Sequence, residues 1–233
     1  MRLSIILPVH SETNTVRDIT EALLNLLGGD VYEIILVVSS ASPEETFKIC
    51  HSLSEKYSKV EICIQTSNGL GNAIRDGFSR VSGSHVLMMD SDGEMNPQTV
   101  PKMVRKLLDE NLDMVVASRW MKGGGSIGYT APKYVFNRFY NRLFRFLFGT
   151  NIHDLSLGFK IMRIEAAKGI RWEGVRHEIA TETTLRPICI GYKVGEVPTV
   201  WVRRMTGKSK NWMFANVRYI RMAVRIWRTQ KKV

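Results

Sequence analysis

A chain of 233 residues, 44% of them apolar, can bury one substantial core and suits one large domain or one domain with an appendage. Its three cysteines, Cys50, Cys63 and Cys189, are odd in number and lack metal-ligand spacing, which argues against a disulfide scaffold and predicts reduced thiols in a cytosolic protein. The net charge of +11 is concentrated late: residues 199–233 hold ten Lys or Arg and no Asp or Glu, a block that favours lipid headgroups, phosphates or nucleic acid.

Met1-Arg2 leads straight into a strand, with no secretory leader, and no uncharged apolar run reaches membrane-spanning length, so a soluble or peripheral protein is expected. The first strand ends at Pro8. Ser11 to Asn14 offers capping side chains to a helix that runs to Leu27 and stops at Gly28-Gly29. Residues 33–38 form a second buried strand, and Pro43-Glu44-Glu45 opens the next helix with acid in its first turn. Residues 60–65 are a third strand. Asn68-Gly69-Leu70-Gly71-Asn72 then turns into a helix, either as a phosphate cradle or as a plain connection. It is no G-x-G-x-x-G fingerprint, which argues against a dinucleotide-binding dehydrogenase.

Val86 to Met89 runs an apolar strand into Asp90-Ser91-Asp92-Gly93-Glu94. Carboxylates just past the carboxyl end of such a strand are hard oxygen ligands for a divalent cation, although a solvated acidic turn has the same sequence. A helix from Pro97 to Glu110 and a strand from Met114 to Ser118 follow. Strands alternating with helices this regularly predict an α/β protein with a mostly parallel, doubly wound sheet.

After Ser118 the pattern changes. Arg119 to Gly125 is a basic, glycine-rich loop, and residues 134–148 form a helix with Phe136, Phe139, Tyr140 and Phe144 against Arg138, Arg142 and Arg145. That mixture suits a membrane surface or a core helix with one solvated basic face. His153 to Lys160 is polar punctuation, and His153 and His177 lack partners at metal spacing. Residues 191–198 turn into a late strand, and residues 203–210 are polybasic. The last helix, about 212–228, sets Phe214, Val217, Ile220, Val224 and Trp227 on one side and Arg218, Arg221, Arg225 and Arg228 on another, which predicts contact with an anionic interface.

In order and spacing, several motifs together resemble the family-2 glycosyltransferases, in the branch that includes dolichol-phosphate mannose synthase. They are Leu7-Pro8-Val9-His10-Ser11-Glu12, Asn68 to Gly71, Asp90-Ser91-Asp92, Ser118-Arg119, Asp154 with Gly158-Phe159-Lys160, Gly191 to Pro198, and Arg204-x-x-Gly207-x-Ser209-Lys210. The resemblance spans residues 3–210 and implies a GT-A domain over 1–210, with 211–233 a basic amphipathic helix in contact with a membrane. It implies inverting transfer of a hexose, mannose favoured, from a GDP- or UDP-linked sugar to a polyprenyl (dolichyl) phosphate at the cytoplasmic face of a membrane, with a small membrane-anchoring subunit as a possible partner.

Carried over by position, Pro8, His10 and Glu12 line the nucleotide pocket, with Val38 and Ser40 against base and ribose and Ser91 beside them. Asp90, Asp92 and Glu94 hold Mg²⁺ or Mn²⁺ on the diphosphate. Arg119, Lys133, Arg204 and Lys210 gather around the acceptor phosphate and the leaving group, with Lys160 a weaker member; Asp92, Arg119 and Arg204 are the catalytic set. Members usually carry an acidic pair after the second strand, where Ser39 and Ser40 stand here, and Glu94 stands where a Gln often serves. One alternative is a soluble family-2 enzyme with a hydroxyl acceptor, which needs a base and points to Glu182. Another is a non-catalytic subunit with a degenerate donor site. No nucleic-acid-binding module is present, so no such partner is expected.

Overall fold

The computed structural model describes residues 1–203 and 212–230, with side chains in the latter stretch from 217 to 229. In chain order the elements are β1 (Leu3–Val9), α1 (Asn14–Leu27), β2 (Val31–Val38), α2 (Glu44–Lys56), β3 (Val60–Ile64), α3 (Leu70–Arg80), β4 (His85–Met88), α4 (Val100–Asp109), β5 (Met114–Ser118), β6 (Gly125–Ile127), α5 (Ala131–Leu147), β7 (Lys160–Arg163), α6 (Ile164–Gly169), α7 (Ile179–Cys189), β8 (Val194–Pro198), β9 (Val200–Val202) and α8 (Trp212–Gln230). Seven strands form one sheet in the order β3-β2-β1-β4-β7-β5-β8, and β6 and β9 pair apart from it.

β1, β2, β3 and β4 run parallel, as do β5 and β8. Their apolar runs are continuous because helices cover both faces of the sheet: Leu7, Leu36 and Leu87 belong to the core on one side, Ile6, Val37 and Met88 to the core on the other. β7 is the exception, antiparallel to both β4 and β5. The chain leaves the sheet at the carboxyl end of β5, passes through β6 and α5, and re-enters at that same edge, so β7 must run backwards.

The glycine turn before α3 resolves as a packing contact. Gly71 donates its backbone N–H to the Val175 carbonyl at 2.9 Å, and Arg75 donates to the Gly174 carbonyl at 2.5 Å. A Cβ on Gly71 would lie 2.0 Å from the Gly174 oxygen, and Gly69 holds φ at +117° with the Val175 oxygen 2.3 Å from where its Cβ would stand. Gly71→Ala is therefore expected to cost about 2–3 kcal/mol through overpacking against backbone, read as a lower urea midpoint with an unchanged slope.

The expected membrane-facing helix at the C-terminus is corrected by its packing. Met222, Ala223 and Ile226 of α8 are buried in the core shared with α7, and the Trp227 indole N–H donates to the Leu147 carbonyl at 3.1 Å. Arg225 is ion-paired with Glu173 at 3.0 Å. α5 buries Tyr140 and Phe144 in the same core and leaves Val135, Phe139 and Phe146 exposed.

Candidate active site

The strand order reverses at β1, which lies between β2 and β4, and the carboxyl ends of β1 and β4 flank the crevice where sheets of this kind take ligands. The acid-bearing turn begins there. Ser91 is buried and its hydroxyl donates to the Pro8 carbonyl at 2.5 Å, tying that turn to the end of β1. Ser91 thus anchors the turn. Asp90 and Asp92 on either side are half-buried, and Asp92 Oδ1 accepts the Glu94 backbone N–H at 3.1 Å. On the β1 side Glu12 accepts the backbone N–H groups of His10 (2.6 Å) and Ser11 (2.9 Å), closing the loop after the strand.

A cationic, aromatic wall faces these acids. Lys133 Nζ lies 4.3 Å from the Tyr129 ring centroid and 4.6 Å from that of Trp201. Burial holds Lys133 below its ordinary value, with Glu94 and Asp92 pulling it up and Arg119 and Arg203 pushing it further down, which places the acids and cations in one electrostatic neighbourhood. The backbone agrees, since Val202 of β9 donates its N–H to the Glu94 carbonyl at 3.0 Å.

Arg119 stands differently from its expected role at the acceptor phosphate. It is 6% exposed and forms a fork with fully buried Asp154, through Nε at 2.7 Å and Nη2 at 2.8 Å. Nη2 also donates to Ser156 at 2.9 Å, and Nη1 donates to the Tyr129 hydroxyl. Despite burial, Asp154 holds the guanidinium above its ordinary value, and Arg119 in turn holds the Asp154 carboxyl below its own. The guanidinium is mostly committed to this pair and braces Tyr129 in the wall. Beyond it, a cavity of about 520 Å³ lies between the 119–126 loop and α5, lined by Trp120, Lys122, Tyr134 and Arg138 among others.

Other expected site residues differ in their exposure. Val38 is fully buried in the core, which removes it from the base; Ser40 is exposed and Ser39 is buried, its hydroxyl accepting the Ala41 N–H at 3.3 Å. Arg204 and Lys210 lie outside the described residues. Lys160, expected near the phosphates, is fully buried and donates to the Ala180 carbonyl (2.7 Å), Thr183 Oγ1 (2.9 Å) and Thr184 Oγ1 (2.6 Å). Burial pulls its ammonium down to about 7, while three acceptors match its three donors. An unfolded chain keeps this proton to about pH 10 and the native chain releases it earlier, so wild-type stability rises with pH across that window. Lys160→Met should lack that rise, so the wild-type urea midpoint should gain on the variant's between pH 7 and pH 10, by on the order of 1 kcal/mol per pH unit at most.

Glu182, the carboxylate offered for a base, is also fully buried. It accepts the backbone N–H groups of Glu173 (3.0 Å) and Gly174 (2.7 Å) and pairs with Arg186 at 2.6 Å. It therefore holds the segment that packs on the α3 glycine turn and takes no part as a base. Sequence reasoning missed Tyr129 and Trp201, whose rings meet edge-on at 4.5 Å, and Trp120, whose ring has the guanidinium carbons of Arg119 at 5.6 Å and Arg138 at 5.5 Å from its centroid. The aromatics interleaved with basic residues over 119–138 were the available signal.

Among the described residues no three His, Cys, Asp or Glu side chains gather into a ready-made metal cage. Asp92 and Glu94 both act on Lys133, while Asp90 acts on Tyr219. One or two carboxylates still suit a hard cation that takes its remaining oxygens from a diphosphate and water.

The model of the family Glycosyl transferase family 2 matches residues 4–171. A dolichol-phosphate mannosyltransferase of Pyrococcus furiosus is 28% identical over 212 residues, 90% of this chain but only 59% of that protein's length. A polyprenol monophosphomannose synthase of Mycolicibacterium smegmatis is 29% identical, over 90% of this chain and 80% of that protein. Among solved structures, glucosyl-3-phosphoglycerate synthase from Mycobacterium tuberculosis, in complex with Mn²⁺, UDP and phosphoglyceric acid, overlays 97% of this chain and 78% of that one with a TM-score of 0.77 at 16% identity. The fold is GT-A, as the sequence implied.

The narrower expectation is corrected. The glucosyl-3-phosphoglycerate synthase complex that overlays 97% of the chain holds Mn²⁺, UDP and phosphoglyceric acid, and the relatives with mannosyltransferase names stand at 28% and 29% identity. Among the described residues no helix is long and apolar enough to cross a membrane. On the likeness to those complexes the assignment to the dolichol-phosphate mannose synthase branch is withdrawn, and with it the polyprenyl phosphate acceptor, the preference for mannose, the anchoring subunit and the peripheral seat on the cytoplasmic face of a membrane.

Proposed function

Because the chain belongs to glycosyl transferase family 2, we propose that it transfers a hexosyl group from a UDP-linked sugar to a hydroxyl of a small phosphate-bearing acceptor. The observation that carries this reading is the half-buried Asp-Ser-Asp turn at the β1/β4 switch point, set opposite the Lys133, Tyr129 and Trp201 wall. The glucosyl-3-phosphoglycerate synthase complexes support the donor and the acceptor class by likeness of fold.

Asp92 and Asp90 would hold Mg²⁺ or Mn²⁺ there, and the bound cation would neutralise the departing diphosphate. Lys133 adds positive charge on the acceptor side, and its burial raises the worth of that charge by excluding water. A hydroxyl acceptor must also lose its proton. With Glu182 walled in, that falls to an acid of the 90–94 turn, and Glu94, which shares the neighbourhood of Lys133, is the one assigned. Ser91 and the Arg119–Asp154 pair hold these groups in position.

Purified protein given UDP-glucose, Mn²⁺ and 3-phosphoglycerate should release UDP at a rate that depends on both acceptor and cation. Failure of UDP with Mn²⁺ to bind by calorimetry, together with no turnover on any UDP-linked hexose, would falsify the reading.

A further inference from the structure

A second cavity, of about 250 Å³, lies along α5 and is lined by Trp120, Arg138, Asn141, Arg142, Arg145 and His153. We propose that it is a binding site for a small phosphate monoester, separate from the donor crevice and independent of the proposed transfer.

Positions 138, 142 and 145 follow the helical repeat, so the three guanidinium groups share one face of α5. Like charges at that spacing repel one another, and among the described residues none of the three has a carboxylate partner. Arg138 donates to the Trp120 carbonyl at 3.4 Å and Arg145 to the Thr150 carbonyl at 3.3 Å, bonds that leave both charges unneutralised. The acid that holds the His153 wall is already engaged: Glu196 takes His153 Nδ1 at 2.7 Å and the backbone N–H groups of His153 and Asp154 at 2.8 and 3.0 Å. That grip fixes the imidazole with Nε2 free of any hydrogen bond among the described residues.

A solvated basic helix face would spread its side chains into water. Here Arg138 and Arg145 are half-buried, Trp120 closes one wall, and the space has room for a small anion. Guanidinium forks match the oxygens of a phosphate in pairs, and a concave, partly dry site strengthens each pairing. Arg138 and Trp120 also line the larger cavity beside the 119–126 loop, so occupancy at one side bears on the shape of the other.

Calorimetric titration of the intact protein with inorganic phosphate at low ionic strength, without UDP or Mn²⁺, should show saturable binding. Arg142→Glu, an exposed change outside the donor crevice, should weaken it roughly tenfold or more while UDP–Mn²⁺ affinity stays within about twofold. Arg145→Met, which removes a charge without reversing one, should weaken it less. No saturable binding, or an unchanged phosphate affinity in Arg142→Glu with its thermal midpoint intact, would overturn the site. Because the probe needs neither donor nor cation, loss of this site leaves the transferase reading standing, and loss of that reading leaves this site standing.

Discussion

Asp154→Asn is expected to lose about 3–5 kcal/mol of stability, the size seen when one partner of a buried ion pair is removed and the other charge stays behind. The carboxylate is fully buried and accepts from Arg119 Nε, Nη2 and backbone N–H, and from the Ser156 N–H at 3.2 Å. An amide of the same shape keeps one acceptor, turns its NH₂ toward the guanidinium and leaves Arg119 charged in a dry site. Replacing both partners, Arg119→Met with Asp154→Leu, should recover a large part of the loss, since neither charge then stays buried alone. The pair also predicts acid sensitivity. Arg119 holds the Asp154 carboxyl below its ordinary value, so its stabilisation is complete above the unfolded carboxyl range and is lost as pH falls through the native value. Urea midpoints at neutral pH and near pH 3 measure both effects; a cost under about 1 kcal/mol at neutral pH would show that the pair does not hold this part of the domain.

What the sequence made legible follows from where the chain repeats itself. Strands β1 to β5 read as buried apolar runs broken by helices at regular spacing, and the acid turn at the end of β4 lies where that spacing puts it. β7 was hidden. Four residues that begin with a lysine look polar, and their burial depends on Thr183 and Thr184, which α7 brings to Lys160 from more than twenty residues away. Arg119 misled for a similar reason: a Ser-Arg pair shows a charge but not its partner, and Asp154 arrives from 35 residues on. Residues 212–228 carry apolar and basic faces in a pattern that a lipid surface and a protein core would select equally. Only the burial of Met222, Ala223 and Ile226 tells which apolar phase the helix found. Val38 belongs to the same class, a strand-end residue whose inward direction is set by the sheet's pleat.

The second large effect is catalytic. Asp92→Asn is expected to lower the rate of UDP release by about 10²–10³-fold, the loss typical of removing one fixed charge from a reacting site. Its fold should be little changed, within about 0.5 kcal/mol, because the side chain is half-buried and its hydrogen bond to the Glu94 N–H survives in the amide. The affinity for Mn²⁺ measured with UDP present should fall about 10–100-fold, and UDP without the cation should bind as before. Glu94→Gln separates the roles of the two acids. If Glu94 receives the acceptor proton, its loss lowers kcat and abolishes the rising acid limb of the pH–rate profile while Mn²⁺ affinity is retained. If Glu94 instead joins the cation's ligands, Mn²⁺ affinity falls in both variants. Equal turnover by wild type and Asp92→Asn would remove the acid turn from the reaction altogether, whatever the fold of the chain around it.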